Sequence, residues 1–299
     1  MSATTILSIA TINSCSAMAA MPVDVSSLSR RGRALGTSWW GADSPQLKKG
    51  FTFPSSYTKE GEVRGWCNWL VEERLMLGQY PHCQPAVPGP SREDAKAHLE
   101  AVLDAGIDCF VSLQAELPPQ QDEAAWPEEG VRLGNDEDRA RWPEPFVRYA
   151  ADIDAIAATT TSSSTTTTIQ YLHCPIVDLS IPQMPRLLTL LDELLAHYES
   201  GGRAAYIHCW GGRGRAGLVG ACMLSLLRPD LDANAVLDAV QTGYDSRRGA
   251  ETMPSTLKRS PQTEPQRKFV RSFVSSVRAS RRYDNDLDMQ SGGMPKGYL

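Results

Sequence analysis

The chain has 299 residues, 41% of them hydrophobic and 22% charged, with a formal net charge of −5. That is enough apolar material for one large core and too little charge for a coiled coil or a wholly disordered chain, and no run approaches the roughly 18 apolar residues of a membrane span. The seven cysteines are odd in number and contain no CxxC pair, which argues against a disulfide-stapled secreted domain and for reduced intracellular thiols.

The charge is segregated along the chain. Residues 1–50 carry five Lys/Arg against two Asp/Glu, residues 51–245 fourteen against twenty-eight, and residues 246–282 ten against two. So acidic a middle makes a poor nucleic-acid binder, and no nucleic-acid partner is expected; the basic stretch can face an anionic ligand.

In chain order, residues 1–23 hold no charged side chain and are rich in Ser, Thr and Ala, and Arg30, Arg31 and Arg33 follow. Residues 1–50 therefore read as a flexible N-terminal extension, or as a transit segment over residues 1 to about 35. The expected location is the cytoplasm, or an organelle such as a plastid if the leader is a transit peptide. Ordered chain is expected from Phe51 to residue 282, with 283–299 a disordered tail. Arg74 to Gly78 reads as a short strand. Residues 91–105 read as a helix: Ser91 and Asp94 suit a capping box, Leu99, Val102 and Leu103 share a face, and Gly106 suits the stop. Ile107 to Leu113 reads as a buried strand, and after a polar stretch Phe146, Ala150, Ile153 and Ala157 mark a helix. The Thr/Ser tract 159–168 reads as a flexible surface insertion.

Ile169 to Cys174 reads as the next strand, and 185–199 as an amphipathic helix with leucines at 187, 188, 191, 194 and 195, ended by Gly201-Gly202. A strand over Arg203 to Cys209 and a helix over Arg215 to Leu227 follow, with further helical patterns at 233–242 and 266–278. Strands alternating with helices give the expected fold class: α/β, a central mostly parallel sheet flanked by helices, in one domain over 51–282.

The segment His208-Cys209-Trp210-Gly211-Gly212-Arg213-Gly214-Arg215 lies between a strand and a helix. Glycines at 211, 212 and 214 let successive backbone N–H groups turn inward as an anion-binding nest, and the dipole of the helix behind it adds positive potential. Arg215 can grip two phosphate oxygens with its planar fork, and Cys209 at the mouth suits a thiolate nucleophile. The same loop, Trp210 to Arg215, is the expected substrate-binding surface.

These residues resemble the signature HCxxGxxR of the cysteine-dependent protein tyrosine and dual-specificity phosphatases, which His208, Cys209, Gly212 and Arg215 match. Cys174 to Pro182 (CPIVDLSIP) resembles that family's general-acid loop, and Gly78-Gln79-Tyr80-Pro81 with the strand 107–113 resembles the start of the same domain. The resemblance covers about residues 66–278 and implies a phosphatase-like fold of dual-specificity size. It implies that Cys209 attacks phosphorus, Arg215 holds the oxygens, Asp178 is the general acid and His208 orients and tunes the thiolate, with no metal and no organic cofactor. Phosphotyrosine, with phosphoserine/threonine beside it, is the expected substrate on a protein partner; a phosphoinositide substrate and a weakly active phospho-binding role stay open. The protein is expected to be a monomer with no integral membrane contact. One departure stands out: Ala216 follows Arg215 where most of the family has a hydroxyl that helps the sulfur leave, as in the slow phosphatases of regenerating liver. Arg213 is either a second cation for a highly charged substrate or a solvent-facing side chain.

Rival readings are weaker. Gly212 to Gly217 fits GxGxxG, but Pro229 to Asp232 and another helix follow where a dinucleotide site needs a strand. The His-Cys dipeptides at 82–83, 173–174 and 208–209 point their neighbours to opposite faces, which suits no metal. Cys109, Cys174 and Cys222 read as core, His197 as a surface cation, Asp192 and Glu193 as a solvated face, and Gln266 as the partner of Thr263 in a capping box rather than a water-positioning residue.

Overall fold

The computed structural model describes residues 23–40, 51–86, 89–134, 136–160 and 168–291. Its elements in chain order are α1 (Val25–Trp40), β1 (Phe51–Thr52), β2 (Ser56–Lys59), β3 (Glu62–Gly65), β4 (Cys67–Val71), β5 (Leu75–Gly78), α2 (Arg92–Asp104), β6 (Ile107–Gln114), α3 (Asp136–Arg141), α4 (Ala150–Thr160), β7 (Gln170–Ile176), α5 (Met184–Glu199), β8 (Ala204–His208), α6 (Arg215–Leu227), α7 (Ala233–Asp245) and α8 (Glu264–Ser291). Two short 3₁₀ turns lie at Glu123–Ala125 and Ser255–Leu257.

The main sheet has the order β1-β4-β5-β8-β6-β7. β5, β8, β6 and β7 are mutually parallel, and β4 runs against both of its neighbours. The expected fold class holds: an α/β sheet, mostly parallel, with helices on both faces. One face is an aliphatic cluster built from α5, α6, α7 and α8 against Leu77, Val111 and Ile207. The other is aromatic, with Trp66, Phe110, Phe146, Tyr149 and Tyr206 packed beneath α2 and α4. β6 and β8 are buried along their whole lengths, as central parallel strands covered on both faces must be.

Most expected elements fall where the side-chain periods put them. Ser91 and Asp94 form the capping box of α2, and Gly106 takes the left-handed φ of 90° that ends it. Six expectations need correction. Residues 25–40 are not a flexible extension but helix α1, packed on the aliphatic face with Leu28 fully buried. A Cβ on Gly32 would come within 2.7 Å of Leu226, and one on Gly36 would collide with the Leu227 carbonyl, so the two glycines permit the close approach of α1 to α6. Arg31 pairs with Asp192 and, at 2.7 Å, with Glu199, which makes Asp192 part of that contact rather than a purely solvated face. α8 runs to Ser291, past the expected start of a tail at 283.

His197 is buried, not a surface cation: Asp108 and Gln170 each lie 2.9 Å from its ring nitrogens. Thr159 and Thr160 end α4 instead of opening an insertion, and Phe146 precedes that helix, paired with Val131. The rest of the Thr/Ser tract, residues 161–167, and the leader residues 1–22 lie outside the described residues, as do 41–50 and 292–299.

Candidate active site

The carboxyl ends of parallel strands are where open α/β sheets gather ligand-binding loops. Three such ends converge here. β8 delivers His208 and Cys209, β7 leads into Val177 and Asp178, and β6 ends at Gln114, two residues before Glu116. Behind the β8 end, residues 209–214 form the loop and Arg215 opens α6.

Cys209 is 3% exposed at the loop's start. Gly212 sits at φ 67°, and a Cβ there would collide with Gly78 and Gln79, so the loop lies directly on the end of β5. Arg247 fixes it from beneath, donating to the Gly212 carbonyl at 2.9 Å, to the Leu77 carbonyl at 2.9 Å and to Asn68 at 2.7 Å. Ser260 Oγ donates to the Arg213 carbonyl at 2.9 Å. Two successive loop carbonyls, those of Gly212 and Arg213, are thereby held on fixed donors.

Arg215 is buried, and its fork donates to Glu116 through both terminal nitrogens, at 2.8 and 3.0 Å. One of those nitrogens also lies 3.1 Å from Asp178. Burial works against its charge, but Cys209, Glu116 and Asp178 together outweigh that and hold the guanidinium firmly protonated. The candidate nucleophile Cys209, Arg215 and the candidate acid Asp178 are thus brought together. Glu116 is the site residue that sequence reasoning missed. Its signal was its place just past the end of a buried parallel strand, at the same sheet edge as Cys209.

His208 is fully buried; its Nε2 is hydrogen-bonded to the Tyr149 hydroxyl at 2.8 Å, and its Nδ1 has no hydrogen-bond partner. Burial pushes its pKa down to about 3, so the ring is neutral. The expected bond that tunes the thiolate is replaced here by anchorage to Tyr149. Trp210 is half-buried, donates to the Pro85 carbonyl at 3.2 Å and packs edge-on against Trp142 and Phe146. Arg213 is not loose in solvent: its Nε donates to Gln262 at 3.2 Å, and its guanidinium lies beside Gly211.

Gln266 does close the expected capping box with Thr263, and its Nε2 also donates to the Ser180 carbonyl at 3.0 Å. Thr263 Oγ1 reaches the Leu179 carbonyl at 3.3 Å. The start of α8 therefore joins the acid loop to the catalytic loop. Cys109, Cys174 and Cys222 are core thiols, and burial raises all three, Cys174 to about 11. Among the described residues no strand follows α6 to serve a dinucleotide, and no three His, Cys, Asp or Glu side chains converge as metal ligands.

This loop, on the carboxyl edge of a mostly parallel sheet, is similar to that of the cysteine-dependent phosphatases. Residues 155–270 match the family model described as PTP-SAK, Swiss Army Knife protein, DSP-PTPase phosphatase domain. The resemblance to the dual-specificity and tyrosine phosphatases holds over that stretch, which contains Asp178, Cys209 and Arg215 but not Glu116. A search of curated proteins gave no match. Among solved structures, the chain is similar to kinase-associated phosphatase carrying a serine in place of its catalytic cysteine: 18% identity, 73% of this chain, 97% of that one, TM-score 0.45. It is also similar to PTPMT1 in complex with PI(5)P (14% identity, 72% and 99%, TM-score 0.42) and to PTPN18 in complex with HER2 phosphopeptides (12%, 85% and 92%, TM-score 0.40).

Proposed function

We propose that the protein hydrolyses phosphotyrosine, and with it phosphoserine or phosphothreonine, on protein substrates through a phosphocysteine intermediate. The observation that carries this reading is the meeting of Cys209, Arg215 and Asp178 at one loop, with Asp178 3.1 Å from the guanidinium that would hold the phosphate. The Cys209 thiolate attacks phosphorus in line, the S–P bond forms and the ester P–O bond breaks. Asp178 gives its proton to the departing oxygen. The Arg215 fork and the loop amides hold the equatorial oxygens. Water then attacks phosphorus, its proton returns to the Asp178 carboxylate, and inorganic phosphate leaves with the thiolate restored. His208 acts by positioning, as a neutral ring anchored on Tyr149. The cycle needs no metal and no organic cofactor. We read the protein as a cytoplasmic monomer.

Arg213, folded over the loop on Gln262, favours a phosphoinositide as the competing substrate, and Ala216 favours a slow, mainly phospho-binding role. Cys209→Ser is the test of the nucleophile. It should abolish phosphate release from phosphotyrosine peptides while the melting temperature and the binding of inorganic phosphate persist. Turnover near the wild-type rate in purified Cys209→Ser would overturn the mechanism.

A further inference from the structure

Of the five large apolar side chains that stand exposed among the described residues, four belong to one turn beside the active site. Val177, Leu179, Ile181 and Met184 are 65, 50, 46 and 40% exposed. Ser180 N closes that turn on the Val177 carbonyl at 3.0 Å, so these aliphatics project from a fixed frame. A clustered apolar projection of this kind marks an interaction surface.

The neighbouring surface is basic. Thr263 and Gln266 tie the turn to the start of α8, where Lys258, Arg259 and Lys268 are exposed and Arg267 and Arg271 half-buried. Glu264 lies 3.1 Å from Arg271 and 3.8 Å from Arg259, and Asp238 faces Arg267 from α7. Arg267 reaches only the Ser260 carbonyl, at 3.5 Å, and its Nε has no hydrogen-bond partner. Burial first, then Arg259 and Arg271, press its pKa downward. Like charges crowded this closely are relieved when an anion approaches them. Residues 51–245 meanwhile carry twice as many acids as bases, fourteen Lys/Arg against twenty-eight Asp/Glu. The stretch that carries this patch, residues 246–282, holds ten Lys/Arg against two Asp/Glu.

We propose that this face docks on an anionic lipid bilayer, with the acid-loop aliphatics among the headgroups and the start of α8 on the negative lipids. Projecting aliphatics beside a cationic patch fit an interface that is apolar at shallow depth and negative at its surface. An acidic phosphopeptide is the competing occupant of such a face, and the vesicle assay separates the two. Such docking would bring the mouth at Cys209 to the membrane surface without any spanning segment; no helix among the described residues is long and apolar enough to cross a bilayer.

Sedimentation of the full chain with vesicles tests the idea without relying on turnover, so its failure is separable from failure of the phosphatase reading. The wild-type protein should sediment with phosphatidylcholine vesicles containing about a third phosphatidylserine, should stay in solution with pure phosphatidylcholine, and should be released by high salt. Arg259→Glu with Lys268→Glu should lower the partition at least about tenfold. Ile181→Asp should lower it roughly fivefold. Unchanged melting temperatures establish that the variants are folded. Equal partition onto both vesicle types, no partition at all, or indifference to both variants would overturn the proposal. So would loss, in the same variants, of affinity for an acidic phosphopeptide when the wild-type protein ignores the anionic vesicles.

Discussion

Two histidines in the aromatic half of the core should make folding stability depend steeply on pH. His98 and His208 are both fully buried, and burial pushes each pKa from 6.5 down to about 3. His98 is stacked on Trp66 with ring centroids 4.5 Å apart, and its nitrogens are occupied by Ser55 at 2.8 Å and Tyr206 at 3.2 Å. Between pH 6.5 and about 3 the unfolded chain binds these two protons and the folded chain does not. Stability is therefore complete above pH 6.5 and falls as pH drops through that window. From pH 7 to pH 5 each ring removes about 2 kcal/mol, or about 4 kcal/mol for the pair, before most carboxylates begin to protonate. Urea unfolding at pH 7 and pH 5 measures the difference directly. In His98→Gln the protein is weaker at both pH values because two hydrogen bonds change, but the loss between them should shrink by about 2 kcal/mol. A wild-type loss below about 1 kcal/mol, or an unaltered loss in His98→Gln, would refute the assignment of these rings as neutral.

Three further outcomes are expected. Asp178→Ala should cost on the order of 10²-fold in kcat on a phosphotyrosine peptide and less on an activated aryl phosphate, whose leaving group needs less protonation; equal losses on both would assign the acid elsewhere. Ala216→Ser should raise the steady-state rate severalfold and shrink a stoichiometric burst of phenol seen by rapid mixing, and no burst with no gain would make Ala216 a neutral substitution. A chain begun at Phe51 should melt well below one begun at Val23, by an amount on the order of 3 kcal/mol or more, because Leu28 and the Arg31 pairs leave the aliphatic face; equal melting temperatures would mean that α1 adds nothing.

The parts of this fold legible in the sequence are those set by local patterns. The capping box of α2, the leucine stripe of α5 and the unbroken apolar runs of β6 and β8 each carry their own period or punctuation. The candidate catalytic loop was legible because an anion nest favours glycines and an arginine, here beside a cysteine, within the eight residues His208 to Arg215. What was not legible is what long-range packing decides. α1 looked like part of a leader because an acid-poor, hydroxyl-rich stretch runs into Arg30, Arg31 and Arg33; Gly32 and Gly36 lower helix propensity and are explained only by the surface of α6 that they meet. Glu116 and Arg247 stand in stretches with no motif. Each acquires a role only when β6 and β5 are laid beside β8, which brings Glu116 to the Arg215 fork and Arg247 to the Gly212 carbonyl.

The two carboxylates on Arg215 are held unequally, and under the proposed mechanism that inequality would give the site an order of events. Glu116 takes both terminal nitrogens at 2.8 and 3.0 Å with its side chain only 24% exposed, whereas Asp178 touches one nitrogen at 3.1 Å and is 57% exposed. Two parallel charge-assisted bonds hold more strongly than one contact in reach of water. A phosphate that enters the loop competes for the same guanidinium, and the contact it displaces is the weaker one, to Asp178. Glu116 stays behind as the brace that keeps the planar fork aimed at the loop. Asp178, released from Arg215 but still carried on a turn anchored by Thr263 and Gln266, is then free to meet the oxygen that must leave. On the proposed mechanism, binding substrate and arming the acid are one exchange of partners at a single arginine.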